Sequence, residues 1–349
     1  MNHEYALEKI NLSSKKEKKE VEDFLEKHQL LLDHDVSLCL VLRLTLNQKI
    51  VATASAAGKV LKCFAVDQDL QGEGLSNKLI SELIHKKAEE NIRHLFVFTK
   101  PENTFLFESL GFYVVAKLEG AVDLLENTPY GLNNFKKEII EKRIEGNNIA
   151  GLVVNCNPFT LGHQYLIELA SKASDVLHLF VVWEDASVFP NTVRLKLIEE
   201  GTKHLKNIVI HKGHDYIISR ATFPTYFIKD DDKILETHAR LDLQIFADSI
   251  APVLEIKKRY VGAEPYCTTT NSYNKIMKEF LPTKGIEVVE LARKEFNTEA
   301  ISASKVRELI RENKLSECKN IVPASTWDFL NSFEAEKIIQ KIKTTQSRH

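Results

Sequence analysis

Residues 149–170 read IAGLVVNCNPFTLGHQYLIELA. Ile149–Val154 is a short apolar run, half of it β-branched and followed by a polar turn, which is the pattern of a buried strand. Asn155–Leu161 holds one proline and two asparagines, so the chain turns there. Behind Gly162-His163, Leu166, Ile167, Leu169 and Ala170 recur at helical spacing. A strand, a tight loop and a helix aim the helix N-terminus at whatever lies beyond the strand. The unpaired N–H groups there, with a partial charge of roughly +0.5, make an anion site. Gly162 lets backbone approach a phosphate closely, and His163 supplies a hydrogen bond or a proton at its edge. The same turn also serves a purely structural end, so a second signal is needed.

Outward from this stretch, strands and helices alternate. Val176–Val182, Ile208–Ile210, Lys258–Val261 and Ile286–Leu291 read as strands. Helices are expected from Pro190 to about His204 and over Asp231–Ile250, Asn271–Leu281 and Ser302–Arg311, with a helical tail over Glu317–Ile342. This order predicts a parallel sheet covered on both faces, with its ligand beyond the strand C-termini at a switch point. Asp230-Asp231-Asp232 reads as charge at a helix start rather than a metal site.

The first part of the chain has a different grammar. Val21, Phe24 and Leu25 make a helical stripe in a charged segment, and Ser37–Leu46, Lys49–Ala57 and Lys59–Val66 read as an antiparallel meander. Gln71-Gly72-Glu73-Gly74-Leu75-Ser76 then opens a helix to about Glu90, with His94–Thr99, Glu102–Leu110 and Gly111–Val115 as strand, helix and strand. Asn133–Gly146 is charged and reads as a linker helix stopped by its glycine. The expected division is 1–130, a linker at 131–148, and 149–349.

With 349 residues, two domains are expected. Net charge is −2, which gives no bulk attraction for nucleic acid or acidic lipid. Five cysteines without a CxxC pair predict neither a disulfide framework nor a zinc site, and they suit a reducing cytoplasm. The N-terminus lacks a signal pattern, and no apolar run approaches the roughly 18 residues of a membrane span.

The second signal is Ile301-Ser302-Ala303-Ser304-Lys305-Val306-Arg307. With Thr160-Leu161-Gly162-His163 it resembles the T/HxGH and ISSTxxR signatures of the nucleotidylyltransferase superfamily. The string Asn155-Cys156-Asn157-Pro158-Phe159-Thr160-Leu161-Gly162-His163 is similar to one branch of it, the citrate lyase ligases. In the first part, Gln71-x-x-Gly74-x-Ser76 and Asn103…Leu110-Gly111-Phe112 resemble the acyl-CoA loop and following motif of the GNAT acyltransferases, with Ser76 where that family has a smaller residue.

The resemblance implies an α/β protein: a GNAT-like α+β domain followed by a Rossmann-like nucleotidylyltransferase domain. It implies an ATP-dependent ligase that acetylates the thiol prosthetic group of the citrate lyase acyl carrier subunit through acetyl-adenylate, releasing AMP and pyrophosphate. ATP would bring Mg²⁺ with it, acetate and the acyl carrier subunit would be the partners, and the location would be cytoplasmic. His163 and Thr160 would be catalytic, both facing one phosphate. Asn157, Phe159, Gly162, Arg194, Gly262, Ser302, Ser304 and Arg307 would bind ATP, with Arg194 on the exposed side of its helix and Gly262 in a nucleotide-side loop that runs on to Tyr266. Asn157 would chiefly hold the loop, and the serines also read as helix caps. Arg220, Phe223, Tyr226 and Phe227 are candidates for an acetate wall. Gln71, Gly72, Gly74 and Ser76 would form a CoA or pantetheine loop, and the first domain would be an acetyltransferase, a binder of such an arm, or a scaffold. Two rivals stay open: a nucleotidylyltransferase of dinucleotide-cofactor synthesis, and an acetyltransferase with a nucleotide-sensing domain.

Overall fold

A computed structural model describes residues 4–184, 187–219, 221, 231–264, 268–297 and 299–344. Tyr5–Lys9 (β1) pairs antiparallel with Leu38–Leu44 (β2), and β2, Ile50–Ala57 (β3) and Val60–Val66 (β4) form the meander that the alternation foretells. Phe96–Thr99 (β5), Tyr113–Leu118 (β6) and Val122–Glu126 (β7) complete a seven-stranded sheet ordered β1-β2-β3-β4-β5-β7-β6, with β4 and β5 parallel. Lys15–Lys27 (α1) buries Val21, Phe24 and Leu25 with Cys39, Val41 and Cys63 of the sheet. Leu75–Glu89 (α2) packs Leu75, Leu79, Ile80 and Leu83 with Leu38, Leu40 and Leu42, whose side chains alternate with that first set. A short helix, Thr104–Glu108 (α3), joins this second cluster through Phe107.

β7 escapes the sequence reading because its acids are buried and individually satisfied. Thr104 Oγ1 donates to Asp123 at 2.7 Å, and Glu126 accepts from Leu132 N at 2.9 Å and pairs with His94 Nε2 at 2.7 Å. Gly131–Ile140 (α4) ends well before Gly146, where the sequence puts its stop. The Asp175 carboxylate holds the backbone N–H groups of Asn147 and Asn148 at 2.9 Å, which fixes the chain for entry into the next strand.

The second sheet is parallel throughout. Its strands are Ile149–Val154 (β8), Val176–Val181 (β9), Ile208–Lys212 (β10), Lys258–Gly262 (β11) and Glu287–Leu291 (β12), ordered β10-β9-β8-β11-β12. In chain order that is 3-2-1-4-5, so the order reverses between β8 and β11 and opens a crevice at their C-terminal ends. Leu161–Lys172 (α5) and Asn191–Thr202 (α6) follow β8 and β9, and Ile167, Ala170, Leu197 and Ile198 share a core with Leu152, Val154, Leu179 and Val181. Asp231–Ile245 (α7) widens into a π-helical turn at Phe246–Ile250 and resumes as Ala251–Leu254 (α8), where Pro252 lacks the N–H of a continuous helix. Thr268–Phe280 (α9) precedes β12. A two-residue hairpin, Glu295–Phe296 (β13) and Glu299–Ala300 (β14), then leads into Ala303–Arg311 (α10), Ala324–Leu330 (α11) and Glu336–Thr344 (α12).

Two compact units result. The first runs to Asn134 and takes in α7 as far as Leu241; the second takes Phe135 onward and resumes at Asp242. Among the described residues no helix is long and apolar enough to cross a membrane.

Candidate active site

Thr160 is extended, at φ −125° and ψ 166°, and caps α5. Its hydroxyl accepts from His163 N at 3.3 Å, while Thr160 N donates to His163 Nδ1 at 3.1 Å and the Thr160 hydroxyl reaches the same nitrogen at 2.9 Å. This is a capping box with histidine at the position glutamate or glutamine usually takes. A backbone N–H only donates, so Nδ1 is the acceptor and the neutral ring carries its proton on Nε2. Nε2 makes no hydrogen bond among the described residues. Burial, with the nearby Arg293 cation, lowers the pKa of His163 from 6.5 to about 4. The folded value lies below the ordinary one, so this residue's contribution to stability is complete above pH 6.5 and is lost as pH falls toward 4. At neutral pH the group is an uncharged N–H donor.

The geometry corrects the expectation for Thr160. Its side chain is fully buried and spent on His163, so only the imidazole is free to face a phosphate. Phe159 is also fully buried, with its ring stacked 6.2 Å from that of His163. A Cβ at Gly201 would lie 2.3 Å from the Phe159 ring, so the glycine makes room for it. Phe159 therefore supports the histidine from beneath and has no face for a nucleotide.

The two sequence signatures meet. A Cβ at Gly162 would stand 2.8 Å from the Ile301 carbonyl, so this glycine allows the chain ahead of α10 to cross α5 at close quarters. Ser302 caps α10 by accepting from Lys305 N at 3.1 Å, and the exposed Ser304 sits 3.3 Å from Arg307 Nη2. Arg307 Nη1 donates to the Asn157 carbonyl. Burial and the neighbouring Arg311 bring the Arg307 pKa down to about 10, still cationic at neutral pH. Asn157 Oδ1 in turn accepts from Phe189 N at 3.0 Å, so Asn157 holds the loop as its side chain suggests. Cys156 is buried, and burial pushes its thiol well up, which leaves it inert.

Arg194 is a second correction. It is fully buried rather than on an exposed helix face. Its guanidinium donates to the carbonyls of Phe189 (3.0 Å), Asn155 (2.9 Å), Val182 (2.6 Å) and Glu184 (2.9 Å), and to Asn155 Oδ1 (2.7 Å). It pins the loops after β8 and β9 from below, and its full burial keeps it from a phosphate in the crevice.

On the other side of the crevice, Gly262 ends β11, and a Cβ there would press Leu166 of α5 at 3.3 Å. Asn274 Nδ2 donates to the Gly262 carbonyl at 3.0 Å. Just beyond, Arg293 Nε donates to the Ala263 carbonyl and Arg293 Nη2 pairs with Glu264. Together with Asn271, Lys278 and Ala300 they line an open cleft. The sequence reading passed over Arg293. The available signal was its place directly after β12, the strand paired with β11, because residues just past the C-termini of neighbouring parallel strands share one edge. Arg220, Phe223, Tyr226 and Phe227, like Asp230, Pro265 and Tyr266, lie outside the described residues.

In the first unit, Gly72 (φ +89°) and Gly74 (φ +76°) adopt left-handed backbone, and Gly74 begins α2 with no side-chain cap. Gln71 is exposed and Ser76 half-buried in the first turn. The loop also holds Glu73, whose carboxylate accepts from the Tyr5 hydroxyl. A negative group inside the loop works against a pyrophosphate.

A 3-2-1-4-5 parallel sheet with a helix N-terminus at its reversal point defines a Rossmann-like domain. Sequence comparison gives that domain its family. Residues 149–330 match the citrate lyase ligase C-terminal domain, and residues 14–133 match the acetyltransferase (GNAT) domain. The chain is 43% identical over 329 residues to the citrate (pro-3S)-lyase ligase of Klebsiella pneumoniae, covering 93% of this chain and 96% of that one. It is 38% identical to the protein of the same name in Escherichia coli K12, covering 93% of each chain, and 40% identical to that of Haemophilus influenzae, covering 89% and 94%. The chain belongs to the citrate lyase ligase family.

Proposed function

We propose that this chain is an ATP-dependent ligase that uses acetate to acetylate the thiol prosthetic group on the acyl carrier subunit of citrate lyase, and so activates that enzyme. Family membership supports the reading. The observation that carries it is the neutral imidazole of His163, locked by the Thr160 cap with its Nε2–H unspent, at the reversal point of the parallel sheet.

In the first step an acetate oxygen forms a bond to the α-phosphorus of ATP. The bond from that phosphorus to the bridging oxygen breaks, and its electron pair leaves with pyrophosphate. In the second step the thiol sulfur bonds to the acetyl carbon, AMP departs with the electron pair of the broken C–O bond, and the thiol proton goes to water. Neither step needs covalent help from the protein. Both need positioning and stabilisation of charge on phosphate oxygens. His163 Nε2–H donates to an α-phosphate oxygen, and the N-termini of α5 and α10, with Ser302, Ser304 and the Arg307 cation, hold the leaving pyrophosphate. The cleft of Asn271, Glu264 and Arg293 receives the nucleoside. Mg²⁺ enters as part of the ATP substrate, held by phosphates and water; among the described residues no cluster of His, Cys, Asp or Glu is arranged for a metal. The first unit contributes no covalent step in this reading. A cytoplasmic site of action suits the four described cysteines, all buried free thiols.

Incorporation of labelled pyrophosphate into ATP, measured without any acyl carrier, tests the proposal. Exchange that depends on acetate is expected. Exchange that ignores acetate but requires a phosphorylated co-substrate, as dinucleotide synthesis would, or no exchange at all, sinks the reading.

A further inference from the structure

The reversal point of the sheet has two sides. Arg293, Glu264 and Asn271 occupy the β11–β12 side. On the β9–β10 side, Lys212 ends β10 opposite Val181 of β9, and Val181 is in turn paired with Val154, the last residue of β8. Trp183 lies two residues past Val181. Neighbouring strands stand ~4.8 Å apart, so Lys212 and Trp183 sit on the same edge as the β8–α5 loop, about two strand spacings from it.

Lys212 Nζ lies over the Trp183 indole, 4.9 Å from the ring centroid. The residue is half-buried, and among the described residues it has neither an ion pair nor a hydrogen bond. Two other half-buried lysines of this unit are ion-paired, Lys258 with Glu287 and Lys305 with Glu308. An ammonium carries three donors. The π face holds the cation in place without consuming them, and partial burial strengthens its attraction for an anion. At this edge a second anion must come close to a triphosphate, and mutual repulsion opposes that approach unless a cation offsets it.

We propose that Lys212, positioned by Trp183, forms the subsite for the small aliphatic carboxylate that is activated, with the indole as its apolar wall. The inference rests on the adenylation reading above and locates the substrate that reading leaves unplaced. One carboxylate oxygen lies on the Lys212 ammonium, and the other is left to attack the α-phosphorus.

The chain has two tryptophans, so Trp327→Phe leaves Trp183 as the lone reporter. In that background, acetate titrated with the unreactive α,β-methylene analogue of ATP is expected to give a saturable change in Trp183 emission, which Lys212→Gln abolishes. In acetate-dependent pyrophosphate exchange, Lys212→Gln is expected to raise the KM for acetate by about 30-fold or more, the scale of one lost charge-assisted contact, and to leave the KM for ATP within about twofold. Lys212→Arg should recover most of the loss. An unchanged acetate KM in an exchanging Lys212→Gln enzyme overturns the subsite, and so does an equal rise in the KM for ATP. Wild-type enzyme without exchange overturns the adenylation reading instead. In that case the fluorescence titration still decides the subsite, because an acetate response that survives in Lys212→Gln, or none in the parent, rejects it.

Discussion

Replacing His163 with glutamine is expected to cost roughly 10²-fold or more in turnover while leaving the fold intact, and replacement with alanine to cost the rate together with some stability. The distinction comes from the two ends of the ring. Nδ1 belongs to the capping box, where it accepts from Thr160 N at 3.1 Å. Glutamine at the same helix position can return that hydrogen bond from its own carbonyl, since serine or threonine with glutamine three residues on is the usual form of the box. Alanine cannot, and it gives up about 1 kcal/mol of cap. Neither residue restores the rigid Nε2–H. Acetate-dependent pyrophosphate exchange, read beside a thermal melt, separates the two roles. A glutamine variant at wild-type rate would falsify the catalytic assignment, whatever the alanine variant does.

Arg194→Met is expected to lower the stability of the second unit by about 3 kcal/mol or more, seen as a shifted urea midpoint. Four carbonyls from the loops after β8 and β9 converge on a guanidinium that is fully buried. A methionine fills much of the volume and leaves the buried carbonyls of Val182 and Phe189 without this donor, and buried unpaired groups are what make such changes expensive. Lysine keeps the charge but replaces a planar fork with a point donor, so Arg194→Lys should fall between the two. An exposed phosphate ligand at this position would show the opposite pattern: unchanged stability and a raised KM for ATP. That pattern would return Arg194 to the nucleotide.

The difference between these two residues shows what a sequence discloses. The β8–loop–α5 unit was legible because its signals are local: a β-branched run, a turn with Pro158, and helical spacing after His163. Pairing that unit with Ile301–Arg307 came from resemblance to a family, and the contact that makes the pair physical, Gly162 against the Ile301 carbonyl, joins residues far apart in the chain. Arg194 misled because a cation at a helix start is nearly always solvated. What surrounds it is a set of carbonyls from the two loops after β8 and β9, and carbonyls carry no sequence signature. Asp123 and Glu126 hid β7 for the same reason, since each has its own buried partner. Arg293 and Lys212 follow from strand order, and the order is visible only once the sheet is assembled.

One nitrogen, His163 Nε2, decides the proposed chemistry. With ¹⁵N-labelled histidine, the resonances of His163, assigned by their loss in the glutamine variant, report its tautomer and its charge directly. From pH 5 to 8 the expected result is Nε2 protonated and Nδ1 bare, no titration near the ordinary value of 6.5 because burial holds the pKa at about 4, and a shift of Nε2 when an unreactive ATP analogue binds. A proton on Nδ1, or a midpoint near 6.5 with no response to the nucleotide, would contradict it.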